Sequence, residues 1–296
     1  MKVVFLFVDG LGIGRQDKET NPCCFDETGI FQIFQNSLPN FLPFDGISLE
    51  LDATMGISGL PQSATGQTAL LTGINSAQLL GRHLSGFPNK TLREALLKQS
   101  LLLKLKKKRK KPAFLNAFRP LFFELEENEI LRLSATTIAN HAANLPFFTL
   151  DDIIQKRAIY QDFTNYDLIE RGFEMPVYTP EEAAEIVAEA TNRYDFILYE
   201  YFKSDKAGHN QDMPLAIAEI QKLGRFVFDF LNRIDLTETI VILTSDHGNI
   251  EDLSTKSHTR NPAMTITWGA NKNQIAGKLK SITDLTPAIV FLMDSN

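Results

Sequence analysis

The chain has 296 residues, of which 44% are hydrophobic, and it carries a formal net charge of −6. This acidic balance argues against nucleic acid as a partner, and no apolar run approaches the roughly twenty residues that cross a bilayer. The only cysteines, Cys23 and Cys24, are adjacent and badly placed for a useful cross-link, which favours reduced thiols and a cytoplasmic location.

The first predicted element is an apolar strand from Lys2 to Val8, which stops at Asp9 and Gly10. The stretch is too short for the apolar region of a signal peptide. The glycines Gly10, Gly12 and Gly14 lack the spacing of a dinucleotide-binding loop, and Asp9 would repel a pyrophosphate there. We expect these glycines to let the backbone turn closely around a site.

Two predicted helices and a basic segment come next along the chain. Small and helix-forming residues over 64–71 predict a helix with Ser63 as its N-cap. A second helix is predicted over 91–103, leading to a strand over 112–118. The nearly all-basic run Lys104–Lys111 lies between them. We interpret it as a solvated helix end, where cations suit the negative end of the helix dipole, rather than as a nucleic-acid or localisation patch.

The strand–helix alternation fades over residues 121–178 and resumes at Thr179-Pro-Glu-Glu, which predicts a helix N-terminus with a capping box. Such alternation favours an α/β fold with a mainly parallel sheet sandwiched between helices. We predict that residues 1–120 and 179–296 form the core and that residues 121–178 are a small inserted cap.

The remaining predicted elements continue the alternation towards the end of the sequence. They are a helix ending at Ala190, a strand Phe196–Phe202, an amphipathic helix Met213–Arg233, a strand Thr239–Thr244, a strand Pro262–Trp268 and a closing helix over 281–293.

Acids and histidines follow three of these strands directly. Asp9 follows the first strand, Asp205 and His209 follow the 196–202 strand, and Asp246-His247-Gly248-Asn249 follows the 239–244 strand, with His258 a little later. Ligands of open α/β sheets bind just beyond the carboxyl ends of strands. Taken singly, each motif could be a turn or a helical surface pair. Carboxylates and imidazoles together are ligands for Zn²⁺ or Mn²⁺, so their joint placement predicts a metal site.

Together these motifs resemble the alkaline phosphatase superfamily, and the nearest likeness is its branch of cofactor-independent phosphoglycerate mutases and phosphopentomutases. The likeness covers roughly residues 1–80 and 195–293. The segments that carry it are Asp9-Gly10, the turn Gly59–Gly73, Asp205-x-x-x-His209, Asp246-His247-Gly248-Asn249 and His258-Thr-Arg-Asn-Pro262.

The resemblance implies a site with two divalent metal ions, Mn²⁺ or Zn²⁺. In the family's nucleophile turn the nucleophile stands three residues before a glycine, which here points to Ser63 and Gly66. Ser63 would attack phosphorus and form a phosphoserine. The implied ligands are Asp9, Ser63, Asp246 and His247 for one metal, and Asp205, His209 and His258 for the other.

A cation of the protein is also expected near the substrate phosphate. Asn116-Ala-Phe-Arg119-Pro120 faintly resembles the segment with which phosphoglycerate mutases hold substrate, although the second arginine of that segment is missing here. Arg119 could clamp a phosphate through two hydrogen bonds, or it could be an ordinary surface arginine.

The resemblance leads us to expect a phosphomonoesterase acting on a small phosphorylated metabolite, with neither nucleic acid nor membrane as a partner. The predicted cap is much shorter than the transferase domain of bacterial phosphoglycerate mutases, which favours hydrolysis. A phosphomutase is the alternative within the same chemistry. A catalytically silent metal-binding scaffold is a second alternative, against which the nucleophile Ser63 argues.

Overall fold

Six strands form one mixed sheet at the centre of the protein. The computed structural model describes residues 1–39 and 41–294. The order across the sheet is β2-β6-β5-β1-β4-β3, in which β6 alone runs against the other described strands. The strands are Lys2–Val8 (β1), Ile47–Leu51 (β2), Pro112–Phe114 (β3), Phe196–Tyr201 (β4), Thr239–Thr244 (β5) and Ala263–Gly269 (β6).

Helices cover both faces of this sheet. None of those within the described ranges combines the length and apolar character that a bilayer span requires. They are Ser63–Thr72 (α1), Ser76–Leu80 (α2), Lys90–Gln99 (α3), Leu101–Lys107 (α4), Glu127–Ile130 (α5), Ala135–Ala142 (α6), Leu150–Ile154 (α7), Tyr166–Ile169 (α8), Pro180–Ala190 (α9), Lys203–Asn210 (α10), Met213–Arg233 (α11), Lys272–Ala276 (α12) and Leu285–Asp294 (α13).

The alternation of side chains along β1 separates two hydrophobic cores. Val4, Leu6 and Val8 point to the face that α9 and α11 cover. Val3, Phe5 and Phe7 point to the opposite face, beneath α1, α4, α6 and α13. Because a strand buried on both faces must be apolar at every position, the unbroken apolar run of β1 is explained. The predicted α/β class, with a mainly parallel sheet between helices, is confirmed.

The middle of the sheet brings the predicted acids to one edge. β1 lies between β5 and β4 and runs parallel to both. Phe7 is paired with Thr244 on one side and with Glu200 on the other, so the three strands end at the same level. Asp9 follows directly, and the segments after β4 and β5 begin beside it.

Three elements of the structure differ from the predicted ones in their bounds or in their caps. β3 ends at Phe114. The Leu115 N–H still donates to the Leu198 carbonyl of β4, but the Ala117 N–H donates to the Ile159 carbonyl outside the sheet. The helix predicted over 91–103 is two helices, since Ser100 ends α3 and its Oγ caps α4. Ser63 is the first residue of α1 rather than its N-cap, which is Gln62 and makes no side-chain capping bond. The hydroxyl of Ser63 is thus not used for capping.

Residues 121–178 hold the short helices α5 to α8 and several irregular turns. Their side chains enter both hydrophobic cores, as Ile138 does beside α1 and Phe163 on the opposite face. α6 packs against α3 and α1. The division into a core and an inserted cap stays a prediction.

The basic run supplies cations to helix ends. Lys104 donates to the Thr72 carbonyl at the end of α1, and Lys106 donates to the Ala143 carbonyl that follows α6. Lys108 pairs with Asp294. Cations are therefore placed at negative helix ends, although these ends belong to neighbouring helices rather than to α4 itself.

Candidate metal centre

Asp9, Asp246 and His247 form a compact set, which we name the buried group. Asp9 follows β1, and Asp246 and His247 follow β5 by two and three residues. His247 Nε2 lies 3.4 Å from Asp9 Oδ1 and 3.4 Å from Asp246 Oδ2. The side chains of Asp246 and His247 are completely buried, and that of Asp9 is 10% exposed. Two carboxylates and an imidazole thus converge where water scarcely reaches.

The two carboxylate oxygens that lie nearest His247 Nε2 have no hydrogen-bond partner. Asp9 Oδ1 and Asp246 Oδ2 are buried and unsatisfied, whereas the opposite oxygens accept from Gln67 and from the Gly10 N–H. A buried carboxylate oxygen without a partner is costly. A divalent cation between these oxygens and His247 Nε2 would satisfy both of them, so these residues fit a metal ion.

Asp205, His209 and His258 form a second set, which we name the outward group. His209 Nε2 lies 3.3 Å from Asp205 Oδ2, and His258 Nε2 lies 3.6 Å from Asp205 Oδ1. Asp205 and His209 are one turn apart on α10, so their side chains share one face of the helix. The His209 side chain is 43% exposed. This group therefore opens to solvent.

Both imidazoles of the outward group are oriented as metal ligands. His209 Nδ1 is 2.6 Å from the Lys256 carbonyl, and His258 Nδ1 is 2.9 Å from the Pro61 carbonyl. A backbone acceptor takes the proton of Nδ1 and leaves the lone pair on Nε2. The two Nε2 atoms lie 3.3 Å apart. Two lone pairs at that distance repel each other, and a shared cation beside Asp205 would remove the repulsion.

Electrostatics in the absence of metal disfavour the charges of the buried group. Burial, and then the negative charges of Asp246 and Asp205, raise the pKa of Asp9 well above its usual value. Burial and the charge of Asp205 raise the pKa of Asp246 to about 8. Burial and the neighbouring His258 lower the pKa of His247, which keeps its imidazole neutral. A bound cation would favour the ionised carboxylates and a neutral imidazole ligand.

The two groups are neighbours rather than separate sites. The rings of His247 and His258 are stacked with centroids 3.7 Å apart, and His209 and His258 have centroids 5.1 Å apart. The charge of Asp205 acts on both carboxyl groups of the buried group. Two cations bound in these groups could act on one substrate.

Ser63 presents its hydroxyl to the buried group. Its Oγ lies 3.2 Å from His247 Nε2, at the first position of α1. The glycine three residues later has a packing reason, because a Cβ on Gly66 would meet the Asp246 carbonyl oxygen at 2.8 Å. Gly10 has a similar role: its φ is +68°, and an added Cβ would meet Asp205 Oδ1 at 2.6 Å. These two glycines let α1 and α10 approach the strand ends.

Sequence reasoning missed three polar residues that hold the ligands in place. Gln67 donates to Asp9 Oδ2 at 3.1 Å, and Asn249 donates to Asp205 Oδ1 at 2.7 Å. Glu251 is almost fully buried and accepts from the Gly12 and Asn249 N–H groups. Gln67 could have been found from the sequence, because it lies one helical turn after Ser63 and so shares its face of the helix. No sequence signal marked Glu251, whose partners come from distant segments.

Arg119 lies at the end of the segment that follows β3, half-buried, on the wall of a cavity that also includes Glu200. It precedes a short 3₁₀ turn, Pro120–Glu124. Two lysines lie near the same edge of the sheet. Lys203 is paired with Asp167 at 2.7 Å, and Lys206 lies over the ring of Phe202. Whether Arg119 holds a substrate phosphate stays a prediction.

The structure thus brings six of the seven predicted ligand residues together in two groups and places the seventh, Ser63, beside one of them. The other two histidines of the sequence lie in other contacts: His141 is near Glu127, and His83 is near the Ile57 carbonyl. The metal, nucleophile and substrate roles themselves stay predictions.

Residues 172–294 match the sequence model of the metalloenzyme superfamily. Among curated proteins, the chain is 28% identical over 129 residues to a 2,3-bisphosphoglycerate-independent phosphoglycerate mutase from Ehrlichia canis (strain Jake), covering 39% of this chain and 26% of that protein. A mutase of the same name from Antithamnion sp. is 30% identical over 118 residues, which are 36% of this chain and 23% of the relative. The matched part therefore spans about a quarter of these relatives.

Two solved structures share the fold over the whole chain. The PH0037 protein from Pyrococcus horikoshii matches with a TM-score of 0.60 at 16% identity, covering 100% of this chain and 97% of the other. A cold-active alkaline phosphatase from Shewanella sp. matches with a TM-score of 0.51 at 12% identity, covering 99% and 100%. The predicted resemblance to metalloenzymes is confirmed for residues 172–294, and the chain shares the fold of an alkaline phosphatase.

Proposed function

We propose that this chain is a phosphoryl-transfer enzyme that depends on two divalent metal ions, and that it hydrolyses a small phosphorylated metabolite. The observation that carries the proposal is the Ser63 hydroxyl, 3.2 Å from His247 Nε2 and beside two converging groups of ligands. A site that only stores or structures metal has no need of such a hydroxyl. This argues against the silent scaffold as an alternative.

The ligand assignment follows the two groups. Asp9, Asp246 and His247, with Ser63, would hold one ion, and the outward group would hold the other. When bound, a pair of Mn²⁺ or Zn²⁺ ions would lower the pKa of a coordinated hydroxyl and stabilise charge on the leaving oxygen. The mixture of carboxylates and imidazoles suits both metals.

The proposed reaction has two balanced steps. Ser63 Oγ forms a bond to phosphorus while the ester P–O bond breaks, and the proton lost by the serine balances the proton gained by the departing alkoxide. Water then attacks the phosphoserine, restores the Ser63 hydroxyl and releases inorganic phosphate. The positive end of the α1 dipole, where Ser63 lies, favours the negative charge of the phosphoryl group throughout.

Arg119 is the proposed cation for the substrate. A guanidinium on the wall of a cavity can bind a phosphate or a neighbouring anionic group through two hydrogen bonds. We expect Arg119→Ala to lower kcat/KM by about 10-fold to 150-fold, the equivalent of ~1.5–3 kcal/mol for a charge-assisted contact. Metal content should be unchanged. Unaltered kinetics would make Arg119 an ordinary surface residue.

Hydrolysis is favoured over isomerisation by the size of the stretch over 121–178. We propose that it is a short cap that encloses a small substrate but offers little surface on which an intermediate could be reoriented, as a mutase requires. The similarity to phosphoglycerate mutases keeps the mutase as the second candidate. The acidic net charge of −6 supports a small-molecule substrate rather than nucleic acid or membrane. The two adjacent cysteines, Cys23 and Cys24, favour a cytoplasmic location.

One screen separates these candidates. The purified protein is stripped of metal, reloaded with Mn²⁺ or Zn²⁺, and incubated with a panel of phosphorylated metabolites, and free phosphate and isomerised product are measured together. We expect free phosphate from at least one ester with one of the metals, and none from the metal-free protein. An isomer without phosphate release would establish the mutase. No turnover of any ester with either metal would contradict the proposed function.

A further inference from the structure

A cavity of about 470 Å³ lies beside the metal centre, between the end of β3, the turn Pro120–Glu124, the start of α6 and the end of β4. The chain after β4 connects it to the metal centre, because Phe202 lines the cavity and directly precedes α10, which carries Asp205. Its volume is in the range of cavities that hold small organic ligands.

Apolar side chains form most of the walls of this cavity, and many of them are aromatic. The rings of Phe118 and Phe122 have centroids 4.2 Å apart, and those of Phe114 and Phe118 are 6.1 Å apart. At the rim, Phe87 and Leu121 are 62% and 67% exposed. The aromatic side chains around the cavity are Phe87, Phe114, Phe118, Phe122, Tyr160 and Phe202. Such walls favour an apolar ligand and can also attract a cation through their ring faces.

A buried carboxylate interrupts the aromatic walls. Glu200 lines the cavity although it is only 6% exposed. Its backbone is fixed by Asn116, which accepts from the Glu200 N–H at 2.9 Å and donates to its carbonyl at 2.8 Å. Its Oε2 accepts from the Thr136 hydroxyl at 2.5 Å. In the described parts of the chain, no basic side chain lies within ion-pairing distance of this carboxylate.

An arginine and a buried carboxyl group therefore line the same cavity. The arginine is Arg119, and no ion pair joins it to Glu200 in residues 1–39 and 41–294. Glu200 is paired across the sheet with Phe7, two residues before Asp9, so the carboxylate lies near the metal centre. Burial raises the pKa of Glu200 to about 7, and a ligand ammonium beside the carboxyl group would favour its ionised form.

We propose that this aromatic cavity holds an apolar, ammonium-bearing end of the substrate, with the ammonium against the Glu200 carboxylate. The substrate class is then a phosphomonoester of an apolar amino alcohol or of a phenol with an aminoalkyl group, with its phosphate at the metal centre. The proposal rests on the proposed phosphoryl-transfer function. Glu200 and the aromatic rings select the amine, and Arg119 faces the anionic end.

Two matched esters test the selection, 4-(aminomethyl)phenyl phosphate and 4-methylphenyl phosphate, with the metal-loaded protein. We expect the wild type to favour the amine by about 10-fold or more in kcat/KM, as a charge-assisted contact provides. Glu200→Gln keeps an acceptor for Thr136 and should reduce that ratio to about 1. The matched control Glu94→Gln, on an exposed residue of α3, should keep the wild-type ratio.

A second variant keeps the test decisive if Glu200→Gln folds poorly. Leu133 lines the cavity and is half-buried, so Leu133→Trp would fill the space. We expect the preference for either aryl ester over glycerol phosphate to fall by about 10-fold, the scale of a lost apolar contact in a pocket. An unchanged preference would place the aryl group elsewhere and overturn the proposal.

Calorimetry separates failure of the cavity from failure of the function. Kd values of both esters are measured on the metal-loaded Ser63→Ala protein, which would lack the proposed nucleophile. A preference for the amine in binding, with no ester turned over by the wild type, would sustain the cavity and refute the function. Turnover of both esters without a preference for the amine, or a preference that survives Glu200→Gln, would refute the cavity.

Discussion

The buried group and the outward group offer the same kinds of ligand in opposite surroundings. His247 is completely buried and its neighbouring carboxylate oxygens have no partners, whereas His209 is 43% exposed and both imidazoles of its group are fixed by backbone carbonyls. The buried group therefore depends on a cation to stabilise its charges. The outward group is oriented without one and is open to water, which suits the hydrolytic half of the proposed reaction.

The largest expected effect is at the residue that touches the buried group. Ser63→Ala should reduce turnover at least ~10³-fold, because the covalent step is lost. The fold should persist, since the hydroxyl makes no capping bond in α1, and the three remaining ligands Asp9, Asp246 and His247 should still bind a metal ion. The measurement is kcat with free phosphate as product, alongside metal content and a melting curve.

Thr65 provides the matched control for Ser63. Its hydroxyl donates to the Gln62 carbonyl at 3.0 Å and accepts from the Leu84 N–H, so it is occupied in local structure. Thr65→Ala should lower stability by about 1 kcal/mol, the value of an ordinary hydrogen bond, and leave most of the activity. Loss of activity in Thr65→Ala with retention in Ser63→Ala would move the nucleophile to Thr65.

The second prediction compares one histidine from each group. His247→Ala and His209→Ala should each remove one metal ion, as measured by elemental analysis after dialysis. His247→Ala should also lower the melting temperature more, because it leaves a buried space and two unpaired carboxylates, whereas His209 is partly in solvent. Full metal content in either variant would exclude that histidine as a required ligand.

The third prediction uses the pH dependence of stability to test the contrast between the buried and the outward group. In the metal-free protein the carboxyl pKa of Asp9 is raised and that of Asp246 is raised to about 8, while the unfolded chain has ordinary values near 4. Between those values the native state binds more protons than the unfolded state, so stability should fall as pH rises from about 4 to about 8. A difference of several pKa units between the native and unfolded carboxyl groups corresponds to a loss of several kcal/mol in the free energy of unfolding. This loss should lower Tm by about 5–10 °C.

Metal loading should remove most of this pH dependence, because the cation favours the ionised carboxylates. Melting curves at pH 5 and pH 9, with EDTA or with added Mn²⁺ or Zn²⁺, measure the difference. His209→Ala is the control, because both carboxyl groups with a raised pKa belong to the buried group. Metal-free His209→Ala should therefore show the same decrease of melting temperature with pH as the metal-free wild type. A metal-free protein that is equally stable at both pH values would show that the buried carboxylates are not destabilising.

The sequence predicted the sheet and the ligands better than it predicted the surroundings of the ligands. Strand β5 and the acid after it are local patterns, since the apolar run and Asp246 are adjacent in the chain. Glu251 and Glu200 were missed because their partners, Gly12 and Thr136, are far away in sequence and meet them only in the fold. Ser63 was assigned correctly to the start of a helix, but its capping role was wrong because Gln62 occupies that position.

The smallest effects are expected at the amides that hold one carboxylate of each group. Gln67 donates to Asp9 at 3.1 Å, and Asn249 donates to Asp205 at 2.7 Å. Partners of this kind orient ligands, and their loss commonly lowers metal affinity 10-fold to 100-fold. We expect Gln67→Ala to weaken one metal-binding step and Asn249→Ala the other, within that range.

Titration of the metal-free variants with Zn²⁺ by calorimetry distinguishes the two steps. Gln67→Ala should weaken the metal-binding step that is absent in His247→Ala. Asn249→Ala should weaken the step that is absent in His209→Ala. The buried group should be the more sensitive of the two, because the Asp9 side chain is 10% exposed and the Asp205 side chain is 17% exposed, so a water molecule replaces the lost amide less readily at Asp9. Equal losses at both steps from either variant would mean that the groups bind metal as one coupled unit, and the contrast between a buried and an outward site would no longer hold.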